Sequence, residues 1–370
     1  HEGQAVKLAI VFSWLNQYGG AERVLEVVHD MYPAAPVYTS LYRPSALPAS
    51  YRSWDIRTSF LNHMPLARTR HQLYLSWYPL AFESFDLRGY DAVLSLTSGF
   101  GHGVITSAGT AHLCYCLTPA RFLWNYHAYI EREGVGALAR MALRPTLKSL
   151  RQWDRLAADR VDQFVAISRT VQQRIEKVYR RDSIIIYPPI ATHQGQTAQE
   201  PEDYFLVVSR LIPYKRIDLA IEAFNRLGLP LRIIGDGRDR AMLERLAKDN
   251  VQFLGFVPSD DAVREQMARC RALIFPGEED FGLAPVEAMS AGRPVIAYAA
   301  GGALDTVVEG ETGAFFREPT PESLIEAISR FEGMTFSPAT LQAHASEFGV
   351  ERFQRELDEA LVRLVERVRA

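Results

Sequence analysis

Four side chains in the second half of this chain have the types and spacing for chemistry on a charged, hydroxyl-rich molecule. They are the cations Arg210 and Lys215 and the carboxylates Glu279 and Glu287. The two acids bracket a loop. Before it, Ala272-Leu273-Ile274-Phe275-Pro276 reads as a buried strand. After it a short helix is expected from near Ala284-Pro285, since proline suits a first helical turn. Gly292 is placed to end that helix, Pro294 follows, and Val295-Ile296-Ala297-Tyr298 reads as the next strand. A helix N-terminus offers free N–H groups and partial positive charge. With two carboxylates beside it, the loop has donors for phosphate or sugar oxygens and acceptors for hydroxyls. That combination suits a nucleotide sugar. The pair taken alone also fits a plainer reading, with Glu279 a solvated loop acid and Glu287 a favourable helix-start acid.

The elements around these residues form a second β/α series. Tyr204-Phe205-Leu206-Val207-Val208 is its first strand, ending in Ser209-Arg210-Leu211, and a helix starts at Ile217 after Lys215-Arg216. Arg210 and Lys215 thus share one strand-to-helix turn, a place where two cations add to helix-end donors for a phosphate; the alternative is a pair of surface cations. Leu231-Arg232-Ile233-Ile234 and Val251-Gln252-Phe253-Leu254 read as further strands, with Gly235-Asp236-Gly237 as an apex turn. Ala314 to Phe316 and a helix from Pro321 complete the series. A last helix, about Val350 to Val368, carries Phe353, Leu357, Leu361, Leu364 and Val368 on one stripe. In a parallel sheet the loops holding these residues lie at the carboxyl edge, where α/β folds bind ligands.

The first half repeats the pattern. Lys7 to Phe12 reads as a buried strand, Ser13 to Gly20 as a loop, and Ala21 to Met31 as a helix with Val24, Leu25, Val27 and Val28 on its apolar side. Gly19-Gly20 at that helix start lets backbone approach a diphosphate closely, or makes a plain tight turn. Further strands are expected at Val37–Leu41, Asp91–Thr97, His112–Cys116 and Gln163–Ile167. Gly99 to Gly103 is glycine-rich, but no clear helix follows, so it is not a dinucleotide fingerprint. Pro188-Pro189 closes the last strand, and the polar, nonperiodic stretch from Ala191 to Asp203 suits an interdomain linker. The expected organisation is residues 1–190, residues 191–345 and a terminal helix over 346–370.

Composition bounds the rest. The 370 residues are 48% hydrophobic and 23% charged, as in a globular protein of two domains, with no uninterrupted apolar run that would span a bilayer. His1-Glu2-Gly3-Gln4 shows no signal-peptide pattern and reads as a remnant of cloning. Cys114, Cys116 and Cys270 have neither metal spacing nor an even disulfide set, which fits a reducing cytoplasm, and Cys114 and Cys116 are expected to pack on one strand face as small apolar groups. No Asp-x-Asp occurs, so no metal bridge to a diphosphate is indicated. Net charge is −3, but residues 1–190 hold 21 Lys and Arg against 15 Asp and Glu, while the remainder holds 20 against 29. That asymmetry suggests an anionic partner for the first half.

Two stretches there are basic. Arg57 to Trp77 includes Arg68, Arg70, His71, Tyr74 and Trp77; Arg132 to Arg160 includes Arg140, Arg144, Lys148, Arg151 and Arg155. They read either as solvated faces or as a surface resting on anionic lipid headgroups. No nucleic-acid partner is expected.

Several segments together carry a resemblance over nearly the whole chain. Glu279 and Glu287, with Phe281-Gly282 between them and Ala288-Met289-Ser290-Ala291-Gly292 after, resemble the paired-glutamate motif of retaining GT-B glycosyltransferases of family 4. Gly19-Gly20-Ala21-Glu22-Arg23 is similar to that family's glycine loop. Tyr115 to Trp124, Trp153-Asp154-Arg155, Val165 to Arg169 and Ile186-Tyr187-Pro188-Pro189 resemble a branch containing mannosyltransferases of bacterial O-antigen and exopolysaccharide synthesis. The resemblance implies an α/β GT-B fold of two Rossmann-like domains facing a cleft, with the last helix crossing back to the first domain. It implies metal-independent transfer of a hexose, with retention, from a nucleotide sugar to a glycan or lipid-linked acceptor. GDP-mannose is the first choice of donor and a UDP-glucose type the second; no cofactor beyond that co-substrate is expected.

Carried over residue by residue, the resemblance gives Arg210, Lys215, Gly19 and Gly20 to the donor diphosphate. It gives Glu279, the catalytic carboxylate, to the donor sugar and Glu287 to the ribose, with the backbone of Phe281, Gly282 and Leu283 helping to position sugar and phosphate. Gly235 and Val257 fall beside the base, and Arg121, Trp124 and His102 on the acceptor side. Leu117 stands where the family usually has histidine, and Asn125 where aspartate is frequent. His102 and His127 lie nearby in sequence and also read as structural. The departure at Leu117 keeps open a non-catalytic, nucleotide-sugar-binding subunit. Location in the cytoplasm, peripheral on the inner membrane face, is the corresponding expectation.

Overall fold

The computed structural model describes residues 6–125, 137–191 and 200–370, with side chains described outside 137–143. His1 to Gln4, His127, Arg132 and the side chain of Arg140 lie outside what is described. The chain divides into two units, His1–Tyr187 with Phe353–Ala370, and Pro188–Arg352.

In the first unit, β1 (Leu8–Phe12), β2 (Val37–Thr39), β3 (Ile56–Thr58), β4 (Ala92–Thr97), β5 (Ala111–Cys116), β6 (Gln163–Ala166) and β7 (Ser183–Ile185) form one seven-stranded sheet in the order β3-β2-β1-β4-β5-β6-β7. Every neighbouring pair is parallel. The strands β1, β4 and β5 are buried at each position. Such continuous apolar runs arise where helices cover both faces of a parallel sheet. The helices are α1 (Gly20–Met31), α2 (Tyr78–Glu83), α3 (Arg121–Trp124), α4 (Ala137–Ala157) and α5 (Arg169–Tyr179). On one sheet face Ala9, Val11 and Val93 pack with Tyr78, Ala81 and Phe82 of α2 and with Leu147 and Leu150 of α4. Cys114 and Cys116 are buried on β5.

In the second unit, β8 (Phe205–Val208), β9 (Leu231–Ile234), β10 (Val251–Gly255), β11 (Leu273–Phe275), β12 (Val295–Tyr298) and β13 (Gly313–Phe316) form a six-stranded sheet in the order β10-β9-β8-β11-β12-β13, again all parallel. Its helices are α6 (Ile217–Leu227), α7 (Arg240–Leu246), α8 (Asp260–Arg269), α9 (Leu283–Ser290), α10 (Ala303–Thr306), α11 (Pro321–Phe331) and α12 (Pro338–Ser346). Phe205, Val207, Ile233, Ile274 and Ile296 pack against Phe224 of α6 and Leu324 and Ile328 of α11. Helix starts are set locally: Ser259, Thr320 and Ser337 each accept a backbone N–H three residues on, and Pro321 and Pro338 take first-turn positions.

The last helix, α13 (Val350–Arg369), buries Phe353, Leu357, Leu361, Leu364 and Val365. Val365 is buried where the sequence stripe placed Val368, which is half-buried. Phe353 meets the Tyr115 ring edge-on at 5.6 Å, and Tyr32 donates to Asp358 at 2.8 Å.

Both sheets reverse their strand order at one point. In the second unit it lies between β8 and β11, and in the first between β1 and β4. At such a switch point the loops after the two central strands leave in opposite directions and open a crevice at the carboxyl edge. The strand expected over Val37–Leu41 ends at Thr39, and β3 was not expected at all. It has three residues, all at least partly exposed, at the sheet's edge, so no apolar run announces it.

Candidate functional site

The switch point of the second unit gathers three of the four side chains that opened the sequence argument. Arg210 and Lys215 lie on the loop after β8, and Glu279 lies on the loop after β11. Lys215 Nζ and Glu279 Oε1 form an ion pair, with the side chains 12% and 19% exposed. Lys215 also sits over the Tyr214 ring at 5.2 Å, and Arg210 Nη2 donates to the Tyr214 hydroxyl at 3.3 Å. Two cations and one carboxylate therefore meet around one phenol. The cluster carries an excess positive charge, which suits an anion approaching the exposed Arg210.

Backbone contacts hold these loops in place. A Cβ on Gly277 would lie 2.8–2.9 Å from the backbone of Tyr214 and Lys215, so only glycine lets the two loops touch. After β12, a Cβ on Gly301 would come 2.2 Å from the Glu279 carbonyl oxygen, and one on Gly302 would come 2.2 Å from Phe281 Cα. Gly302 N–H donates to that same Glu279 carbonyl at 2.8 Å. On the other side, Gly235 and Gly237 press against the backbone of Ser209 and Leu211, and Leu211 N–H donates to Asp236 at 2.9 Å. The loop bearing Arg210 is thus fixed by the turn after β9, and the loop bearing Glu279 by the turn after β12.

The start of α9 needs Gly282, which has φ +83°; a Cβ there would also strike the Phe275 ring at 2.5 Å. Phe281 is buried against Phe348, with centroids 5.9 Å apart. The helix begins at Leu283, one residue before the expected start, and Pro285 in its first turn lacks an N–H. At the far end Gly292 donates to Met289 and Arg293 to Ala288, both at 2.9 Å, a Schellman ending with Gly292 in the left-handed region. Glu287 lies on the second turn, half-buried. Val257 follows β10 and is half-buried.

In the first unit, Gly19 caps α1 with φ −171°, an extended conformation open to any residue, and a Cβ there would meet only Glu22 Oε2 at 3.5 Å. Neither backbone strain nor crowding calls for glycine at that position. Thr97 Oγ1 accepts from Gly99 and Gly101, which draws the loop after β4 onto its own strand. Arg121 is half-buried and Trp124 is 36% exposed on α3. Trp124 Nε1 donates to Asp154 Oδ2 at 2.7 Å, and Arg151 Nε donates to the Leu123 carbonyl at 2.6 Å, so α4 straps α3 down.

His102 is the exception among the expected acceptor-side residues. Its ring is fully buried, with Nε2 3.2 Å from the Asp154 carbonyl and 3.4 Å from Oδ1, between Trp153 and Tyr179. In this arrangement it touches interior groups and no surface. Burial raises the Asp154 carboxyl above the usual range, opposed by His102 and by hydrogen bonds from Trp124 and Tyr179. Leu117 is buried at the end of β5, with its N–H on the Thr97 carbonyl at 2.8 Å.

Three contributors escaped the sequence argument. Tyr214 lay between the two cations unremarked. Gly277 follows the expected strand Ala272 to Pro276 with no neighbouring glycine to mark it. Gly301-Gly302 follows a strand and opens a short helix, the same signal that singled out Gly19-Gly20. Among the described residues no group of three or more His, Cys, Asp or Glu side chains is arranged to hold a metal ion, and no helix is long and apolar enough to cross a membrane.

Residues 190–346 match the family model described as glycosyl transferases group 1. An uncharacterized glycosyltransferase of Methanocaldococcus jannaschii is 26% identical over 56% of this chain and 60% of its own. A glycogen synthase of Pseudomonas paraeruginosa is 34% identical over 44% of this chain and 34% of its own. The O-antigen chain mannosyltransferase RfbU of Salmonella typhimurium is 30% identical over 38% of this chain and 43% of its own. The matches therefore span less than two thirds of these relatives' lengths. Among solved structures, the apo form of the lipopolysaccharide outer core galactosyltransferase WaaB aligns over 96% of this chain and 99% of its own, with TM-score 0.69 and 16% identity. Anabaena HepE in complex with UDP and glucose aligns over the same shares with TM-score 0.69 and 18% identity. Two parallel-sheet Rossmann-like units with such neighbours are the GT-B fold.

Proposed function

We propose that this chain, whose residues 190–346 carry the glycosyl transferases group 1 sequence, moves a hexose from a nucleoside-diphosphate sugar to an acceptor hydroxyl with retention. The observation that carries the reading is the cluster at the second unit's switch point, where Arg210, Lys215 and Glu279 converge beside the start of α9. In the reaction the bond from the sugar's C1 to the diphosphate oxygen breaks and a bond from C1 to the acceptor oxygen forms. The acceptor proton leaves with the diphosphate. Arg210 and Lys215 hold the leaving diphosphate, Glu279 the sugar hydroxyls and Glu287 the ribose, with the backbone of Phe281, Gly282 and Leu283 helping to position sugar and phosphate. Gly235 and Val257 are proposed beside the base. Arg121 and Trp124 are proposed for a glycan or lipid-linked acceptor. Gly19 and Gly20, at the start of α1, are proposed for the diphosphate on the resemblance alone.

GDP-mannose is the proposed donor, supported by the Salmonella mannosyltransferase among the relatives. A UDP-sugar is the second reading, favoured by the UDP and glucose in the HepE structure. The test is a panel of nucleotide sugars assayed for hydrolysis and transfer, with binding of each measured in parallel. Turnover with one donor supports the enzyme. Binding without turnover across the panel marks a non-catalytic subunit, and absence of both overturns the proposal.

A further inference from the structure

Tyr214 stands between the two cations of the candidate site, and its side chain is neutral. It belongs to the single helical turn Pro213–Lys215 that follows β8. Lys215 N–H donates to the Ile212 carbonyl at 3.0 Å and Arg216 N–H to the Pro213 carbonyl at 3.1 Å, which closes the turn. Gly277, on the loop after β11, packs against it. An added Cβ there would lie 2.8 Å from the Tyr214 carbonyl oxygen and 2.9 Å from Lys215 Cα. The backbone of Tyr214 is therefore held both from within its turn and from the neighbouring loop. The residue is half-buried on this base.

Both cations use its side chain. Arg210 Nη2 donates to the hydroxyl at 3.3 Å, and Lys215 Nζ lies over the ring, 5.2 Å from the centroid. The two contacts go to different parts of one residue, the oxygen at its tip and the face of its ring. Neither part carries a formal charge, whereas Glu279, which pairs with Lys215, does. A carboxylate that holds a cation also cancels its field, so an anion must compete for the charge. A ring face attracts a cation through its quadrupole alone, and a phenol oxygen occupies one N–H of a guanidinium that has several. The full charge stays available to a phosphate. Fixing two long side chains in this way also lowers the rotamer entropy that binding would otherwise cost.

We propose that Tyr214 is a positioning residue of the diphosphate site, its hydroxyl aiming Arg210 and its ring face aiming Lys215 at one anion. The inference rests on the assignment of these two cations to a nucleoside diphosphate, and it adds an uncharged residue to that site. The two roles separate by substitution. Phenylalanine would still hold Lys215 but not Arg210, and leucine would fill the space and hold neither.

Calorimetry with GDP, UDP and ADP on the whole chain tests this. Tyr214→Phe should weaken whichever nucleotide binds by about threefold to tenfold, the net effect of one hydrogen bond. Tyr214→Leu should cost a further factor of about two to five, the size of an exposed cation–π contact. Both losses should run through the cations. Beside Arg210→Ala, Tyr214→Phe should change affinity by less than about twofold. Beside Lys215→Met, Tyr214→Leu should cost no more than Tyr214→Phe does. A tyrosine that merely supported its turn would cost the same in every background. Wild-type affinity in Tyr214→Phe overturns the proposal, and so does a loss beside Arg210→Ala as large as the loss alone. A wild type that binds none of the three nucleotides overturns the diphosphate reading and this inference with it.

Discussion

Lys215 and Glu279 form an ion pair although they come from different loops, because β8 and β11 are neighbours at the point where the sheet reverses. The pair is mostly shielded. On the proposed reading, a diphosphate held by Lys215 competes with Glu279 for that charge. Removing one partner leaves the other charge poorly solvated. Lys215→Met and Glu279→Gln should each lower unfolding free energy by about 1–3 kcal/mol, less than for a fully buried pair. The double variant should lose less than the sum of the two. Urea midpoints of the four proteins measure this coupling, and strict additivity would show that the pair does not contribute.

The two glutamates should separate in their effects. Glu287 lies on α9 and Glu279 on the loop before it. Glu287→Ala should weaken nucleoside diphosphate and nucleotide sugar together. Glu279→Ala should not weaken diphosphate binding, since it frees Lys215, and should reduce turnover by about 10–1000-fold, the range for loss of one positioning contact in the transition state. Calorimetry with the diphosphate alone, set beside initial rates, distinguishes the two. Wild-type turnover in Glu279→Ala would leave that residue a loop acid.

The elements that carry these residues were legible because they rest on local sequence. Apolar runs such as Leu8–Phe12 and Leu273–Phe275 announce strands buried on both faces, and Gly292 with Pro294 announces the end of α9. Arg210, Lys215 and Glu279 could each be placed on a strand-to-helix loop for the same reason. Their meeting could not, since it depends on β11 pairing with β8 and not with β10. The burial of His102 was equally hidden. Its partner Asp154 lies on a helix far along the chain, and nothing in Gly101-His102-Gly103 distinguishes a buried ring from an exposed one.

The buried histidine on β5 should make the protein acid-sensitive. His112 is fully buried with Nε2 2.8 Å from Ser95 Oγ, and burial, with the nearby His102, pushes its pKa down to about 3. The folded state keeps it neutral while the unfolded chain takes up a proton below about 6.5. Stability therefore falls as pH drops from about 6.5 towards the folded value, by up to about 1.4 kcal/mol per pH unit from this group. His112→Gln should flatten that slope relative to wild type in urea titrations at pH 7, 6, 5 and 4. An unchanged slope would place the acid sensitivity elsewhere.

Removal of divalent metal should leave turnover in place. On the proposed reading, Arg210 and Lys215 supply two positive charges to the leaving diphosphate in place of a metal ion. Activity after EDTA treatment should match the untreated protein, whereas Arg210→Ala should weaken diphosphate binding by about 2–3 kcal/mol. Complete loss with EDTA, restored by Mg²⁺ or Mn²⁺, would contradict this account of the leaving group.

The turn after β12 should control Glu279 from behind. Gly302 N–H holds the Glu279 carbonyl, and Gly301, at φ +63°, passes so close that a Cβ would lie 2.2 Å from that oxygen. Gly301→Ala adds both a left-handed penalty of about 1–2 kcal/mol and a backbone collision, so the loop bearing Glu279 must shift. A shift near 1 Å at a positioning group costs about 10²-fold in rate. Gly301→Ala should therefore mimic Glu279→Ala, with turnover reduced and diphosphate affinity kept, although Gly301 is assigned no contact with the ligand. Gly310→Ala is the control: its φ is +79° with nothing within 4 Å of the added carbon. It carries the same backbone strain without the collision. Equal losses of turnover in the two variants would mean that general destabilisation, and not the position of Glu279, sets the rate.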